Sequence, residues 1–133
     1  MHLTITAFAA LMLLLPDVAE AGTYDGPDGR YCGTLASSGQ IVDADTKLKI
    51  DPDGRISGTY QFRDGDSVTN GNLQEEEKGP GLTKMLRWTD KYGKGRLVIT
   101  FDSTFHSFYG HWGTNDAVPN QIWTGDRCQE PNS

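Results

Sequence analysis

Cysteine and histidine, the residues most often used for metal and redox chemistry, are nearly missing here, at two and three of 133. Cys32 and Cys128 sit far apart, without the C-x-x-C spacing or neighbouring histidines of a redox or zinc pair. His106 and His111 differ by five, which puts them on opposite faces of one strand and prevents joint chelation. No Gly-x-Ser-x-Gly, His-Glu-x-x-His or phosphate-loop pattern occurs. Asp102 lies near His106, but no plausible nucleophile accompanies them. No catalytic residue, metal or cofactor is therefore assigned. Basic charge is also scarce. Twelve Lys and Arg face 18 Asp and Glu, a net charge of −6, which disfavours nucleic acid and anionic membrane as partners. Long apolar runs are lacking too: the one present, Thr6 to Leu15, is shorter than the ~20 residues a membrane span needs.

That run belongs to an expected secretory signal peptide, residues 1–21. Pro16 breaks the run, and Ala19-Glu20-Ala21 is a small-x-small cleavage site. Cleavage leaves 112 residues with 12 basic against 16 acidic side chains, because Asp17 and Glu20 depart. The expected organisation is a flexible leader at 22–29, one β-barrel domain at 30–128 and a tail at 129–133, secreted or periplasmic. No membrane span is expected after cleavage. In such a compartment Cys32 and Cys128 read as one disulfide. Closing so long a loop contributes about 4–5 kcal/mol in the chain-entropy model.

Helical periodicity is absent after the signal, and period two is present throughout. Phe108-x-Gly110-x-Trp112 and Trp123-x-Gly125-x-Arg127 flank the turn-rich loop Gly113 to Asn120. Tyr31-x-Gly33-x-Leu35, Ile56-x-Gly58-x-Tyr60 and Thr69-x-Gly71-x-Leu73 repeat the pattern upstream. Eight strands follow, at residues 30–36, 46–50, 55–62, 67–74, 82–89, 96–101, 105–112 and 121–128. The Asp51-x-Asp53-Gly54 stretch reads as a hairpin turn, since the twelfth position of a calcium loop would fall on Phe62. Asp64 and Asp66 read as solvated turn residues, and Glu75 to Gly81 as an acidic loop. The fold class is an all-β, eight-stranded antiparallel up-and-down meander or barrel. Parity points Cys32 and Cys128 outward from the first and last strands, which are neighbours in a closed meander.

Leu48-x-Ile50 with Gly54 and Ile56-Ser57-Gly58-Thr59-Tyr60 resembles the avidin and streptavidin passage that ends in Gly-Thr-Tyr. Phe108-Tyr109-Gly110-His111-Trp112 followed by Asn120-Gln121-Ile122-Trp123 resembles that family's aromatic-x-Gly-x-aromatic strand and its Asn-x-x-Trp. Gly29-x-Tyr31 is similar to the Gly-x-Trp of the wider calycin group. The resemblance implies a small closed barrel. It also implies Tyr60 as a ureido-contacting tyrosine, Phe108 and Trp123 as aromatic wall, and Arg127 over the Tyr31 ring at the closed end. The first-strand Asn and Ser of the avidins are not placed on this chain, and the avidin aspartate has no secure match.

The candidate ligand-binding residues are Tyr31, Tyr60, Trp88, Phe108, Trp112, Trp123 and Arg127. Their rings either fill the barrel or line a pocket, with Tyr hydroxyls and Trp N–H groups as orienting donors. The expected function is an exported binding module for a small, partly apolar ligand. The alternative is an inhibitor or interaction module that meets an extracellular or periplasmic protein through the loops 75–81 and 113–120. Gly110 is expected to let Trp123 lie flat against the backbone.

Overall fold

The computed structural model describes residues 23–129, so the signal segment and all but the first residue of the tail lie outside it. Eight strands run in chain order: β1 (Gly29–Ser37), β2 (Gln40–Ile50), β3 (Ile56–Asp64), β4 (Ser67–Glu75), β5 (Thr83–Asp90), β6 (Gly93–Phe101), β7 (Ser107–Thr114) and β8 (Gln121–Arg127). Each pairs antiparallel with its neighbours, and β1 closes on β8 to complete a barrel. Positive-φ glycines serve the tight reversals, among them Gly54 after the Asp51-Pro52-Asp53 turn and Gly65 between β3 and β4. At the first of these, Asp51 O accepts from Gly54 N at 2.8 Å, so its carboxylates belong to a hairpin.

The alternation that produced the strands also produces the core. Tyr31 and Leu35 on β1, Ala44, Thr46 and Leu48 on β2, and Tyr60 and Phe62 on β3 are all buried. So are Leu86, Trp88, Leu97, Ile99, Phe101, Phe108 and Trp123 further along. Four of the rings face a glycine across the ladder: Tyr60 opposite Gly71, Trp88 opposite Gly95, Phe108 opposite Gly125 and Trp123 opposite Gly110. Gly71 and Gly125 leave room for the Tyr60 and Phe108 rings, whereas Gly95 and Gly110 chiefly admit the backbone of the adjacent strand.

Two expected strands grow appreciably. β2 starts at Gln40 rather than Thr46, and β6 at Gly93 rather than Arg96. Glu75 is the larger correction. It ends β4 and is 1% exposed, where a solvated loop was expected. Its Oε1 accepts from Ile56 N at 2.9 Å and its Oε2 from Gly79 N at 3.2 Å, so it ties the β4–β5 loop to the start of β3. Glu76 pairs instead with Arg87 at 2.6 Å.

The odd-numbered strands all end at one pole, the mouth; the chain enters and leaves at the other, the base. There Arg127 lies over the Tyr31 ring at 4.4 Å and over Tyr24 at 3.9 Å. Its guanidinium donates to the backbone oxygens of Phe105, Asp28 and Gly26. Residues 23–28, read from sequence as a flexible leader, thus lie across the base and are hydrogen-bonded to it. The Cys32–Cys128 disulfide joins β1 to the residue after β8, with Cα atoms 5.0 Å apart.

Candidate functional site at the barrel mouth

Leu35, Tyr60, Phe62, Trp88, Trp112 and Trp123 surround a cavity of about 240 Å³ at the mouth. Ser37, Ser38, Asp64, Asp90, Tyr92 and Thr114 complete its lining. Period two explains the selection. Tyr60, Phe62 and Asp64 are successive inward positions of β3, Trp88 and Asp90 of β5, and Trp112 and Thr114 of β7. Trp123 is 2% exposed and meets Tyr60 edge-on at 4.8 Å, while Trp88 and Trp112 cross at 5.4 Å and 84°. All three tryptophans of the chain line this cavity.

The polar groups form a connected set. Tyr60 donates its hydroxyl proton to Asp90 Oδ2 at 2.6 Å, and Asp90 Oδ1 accepts from Tyr92 N at 2.8 Å. Asp64 Oδ2 accepts from the Thr69 and Tyr92 hydroxyls and lies 3.8 Å from Lys91 Nζ. Burial raises the Tyr60 hydroxyl well above its ordinary value, and the bond to Asp90 adds to the shift. The hydrogen bonds from Thr69 and Tyr92 hold Asp64 below the usual carboxylate range.

The indole N–H groups are committed to the protein. Trp88 donates to Gly113 O, Trp112 to Ala36 O and Trp123 to Thr46 Oγ1. This differs from the expectation that Tyr hydroxyls and Trp N–H groups would orient a ligand as donors. In a barrel this small the buried N–H groups find protein acceptors, as burial demands. Tyr60, too, has no proton left for a ligand carbonyl.

No protein-family model and no curated protein matches this chain. The eight-stranded closed antiparallel barrel is compatible with a calycin-like architecture.

The seven sequence candidates separate by position. Tyr60, Trp88, Trp112 and Trp123 line the cavity. Tyr31, Phe108 and Arg127 meet at the base, where Tyr31 and Phe108 pack with ring centroids 5.1 Å apart beneath the guanidinium. Burial pushes the Tyr31 hydroxyl up to about 12 against the lowering effect of Arg127, and the hydroxyl donates to Pro27 O at 2.8 Å. Asp64, Asp90 and Tyr92 were missed as lining residues. Extending the inward parity one step beyond Phe62 and Trp88 finds the two aspartates.

The Asp102–His106 neighbourhood is a turn. Asp102 Oδ1 accepts from the His106 and Thr104 backbone N–H groups, and the imidazole Nδ1 contacts Thr104 Oγ1 at 2.8 Å. Topology places the β4–β5 loop at the base and the β7–β8 loop at the mouth. The two loops of the alternative reading thus stand at opposite poles.

Proposed function

We propose that this protein is an exported binding module that takes a small, partly apolar ligand into the mouth of its barrel. The observation that carries this reading is the cavity itself: six apolar or aromatic side chains around a concave space, with a few convergent polar groups at its rim, which is the make-up of a small-molecule site. Its volume lies just under the ~300–1,000 Å³ of drug-sized sites, which suits a compact ligand. Export is supported by the disulfide, which a non-reducing compartment maintains.

Native mass spectrometry of protein purified from its own source tests the proposal. A non-covalent adduct of a small molecule is expected, displaced when Trp112→Ala opens the cavity wall. An adduct-free protein whose tryptophan fluorescence ignores small-molecule mixtures from the same source would count against it.

A further inference from the structure

We propose that the ligand of this cavity is a small organic cation, an ammonium or amidinium group on an apolar body; this rests on reading the mouth as a binding site. The lining offers a ligand few free side-chain donors. Its three indole N–H groups and both tyrosine hydroxyl protons are given to acceptors within the protein. What faces a ligand is therefore π surface, carboxylate oxygen and the lone pairs of the Tyr60 hydroxyl. The side-chain exceptions are the hydroxyls of Ser37, Ser38 and Thr114, which accept as readily as they donate.

Charge agrees with hydrogen bonding. The lining contains Asp64 and Asp90 and no Lys, Arg or His. Around it the mouth turns carry Asp66 and Asp116 with Lys91, while Arg63, Lys94 and Arg96 occupy outward positions of the strands, Arg96 donating to Asp116 O, so the charge that bears on a ligand is that of the lining itself. Lys91 is 60% exposed and reaches Asp64 only at 3.8 Å, so it screens that carboxylate weakly. Asp90 accepts one bond on each oxygen, and a carboxylate has about four lone-pair sites, so it retains capacity for an incoming N–H.

The aromatic walls serve the same ligand. A cation beside Trp or Tyr faces is attracted by the ring quadrupole, most strongly where water is excluded, and an apolar body gains by burial against Leu35 and Phe62. An anionic or carbonyl-led ligand would meet two carboxylates and few free donors.

The test uses the disulfide-bonded protein and three probes of similar size: 2-phenylethylammonium, 2-phenylethanol and 3-phenylpropanoate. Because every tryptophan lines the cavity, the three indole N–H resonances report on it directly. The ammonium is expected to bind at least about tenfold more tightly than the alcohol, with the carboxylate weakest, and its advantage should shrink with added salt. Asp90→Asn and Asp64→Asn should each reduce the ammonium's advantage severalfold; the salt series on the unmodified protein serves if either variant fails to fold. Equal or tighter binding of the alcohol or carboxylate, or an ammonium preference indifferent to salt and both substitutions, overturns the cation assignment and leaves the cavity reading standing. If none of the three moves an indole resonance up to about 10 mM, weaker than any useful affinity, both readings fall.

Discussion

Gly71 stands directly across the ladder from Tyr60, and a Cβ placed on it would overlap the Tyr60 ring. Gly71→Ala should therefore push that ring toward the cavity and strain its bond to Asp90. The expected loss is about 1–3 kcal/mol of stability, seen in denaturant melts, with altered near-ultraviolet dichroism from Trp123. The same ring-on-glycine arrangement was expected of Trp123 on Gly110, and there the structure differs. A Cβ at Gly110 would collide with Val98 O and Ile99 of the adjacent strand. The glycine admits a neighbouring backbone, which cannot swing aside as a ring can. Gly110→Val should still destabilise by about 1–3 kcal/mol or more, but with little change in tryptophan dichroism. Ionisation adds a third residue-scale outcome. Tyr31 and Tyr60 both have hydroxyls raised in the folded state, so the native protein keeps protons that the unfolded chain releases. Their contribution is complete below the unfolded tyrosine value of about 10 and is lost as pH rises beyond it. Urea midpoints should fall between about pH 10 and 12, and Tyr60→Phe should flatten that slope.

β4 shows what an element needs beyond its own alternation. Thr69, Gly71 and Leu73 mark its inner face in the sequence, yet the same parity carries on to Glu75, a residue type that reads as solvent-facing. Burial there is tolerable because two backbone N–H groups, from Ile56 and Gly79, converge on the carboxylate. Neither donor is adjacent in sequence, so no local signal announces them. Glu75→Ala should strand the buried Ile56 N–H at about 1–3 kcal/mol and release the half-buried Gly79 N–H at smaller cost, while Glu75→Gln should cost less than the alanine variant. Amide exchange at Ile56 and Gly79, faster in the alanine variant, would check the mechanism. The early half of β2 was illegible for a different reason. Its inward residues Val42 and Ala44 are small, and the larger Ile41 faces outward at 61% exposure, so the alternation is blurred. β3 was plain because Ile56, Tyr60 and Phe62 are large and all buried. The candidate site divides similarly. Its aromatic lining could be read from parity, whereas the donor–acceptor pairings that set its character join residues as far apart as 123 and 46.

Closure of the barrel gives every strand two partners, and the seam between β1 and β8 is reinforced by the disulfide across 96 residues of chain. Replacing both cysteines by serine should lower stability by about 2–5 kcal/mol while leaving the circular dichroism of the folded state intact. A collapse of the strand signal under native conditions would mean that the seam's hydrogen bonds cannot hold without the bridge. Closure also fixes where the polypeptide comes and goes. An even number of up-and-down strands returns the chain to the pole from which it started, so Thr23–Asp28 and Cys128 share the base while the cavity opens at the opposite pole. An anchor, fusion partner or surface linkage joined at either point therefore departs away from the opening. A linkage made beside Thr23 or Cys128 would hold the molecule by its base and turn the opening outward, like an upturned cup.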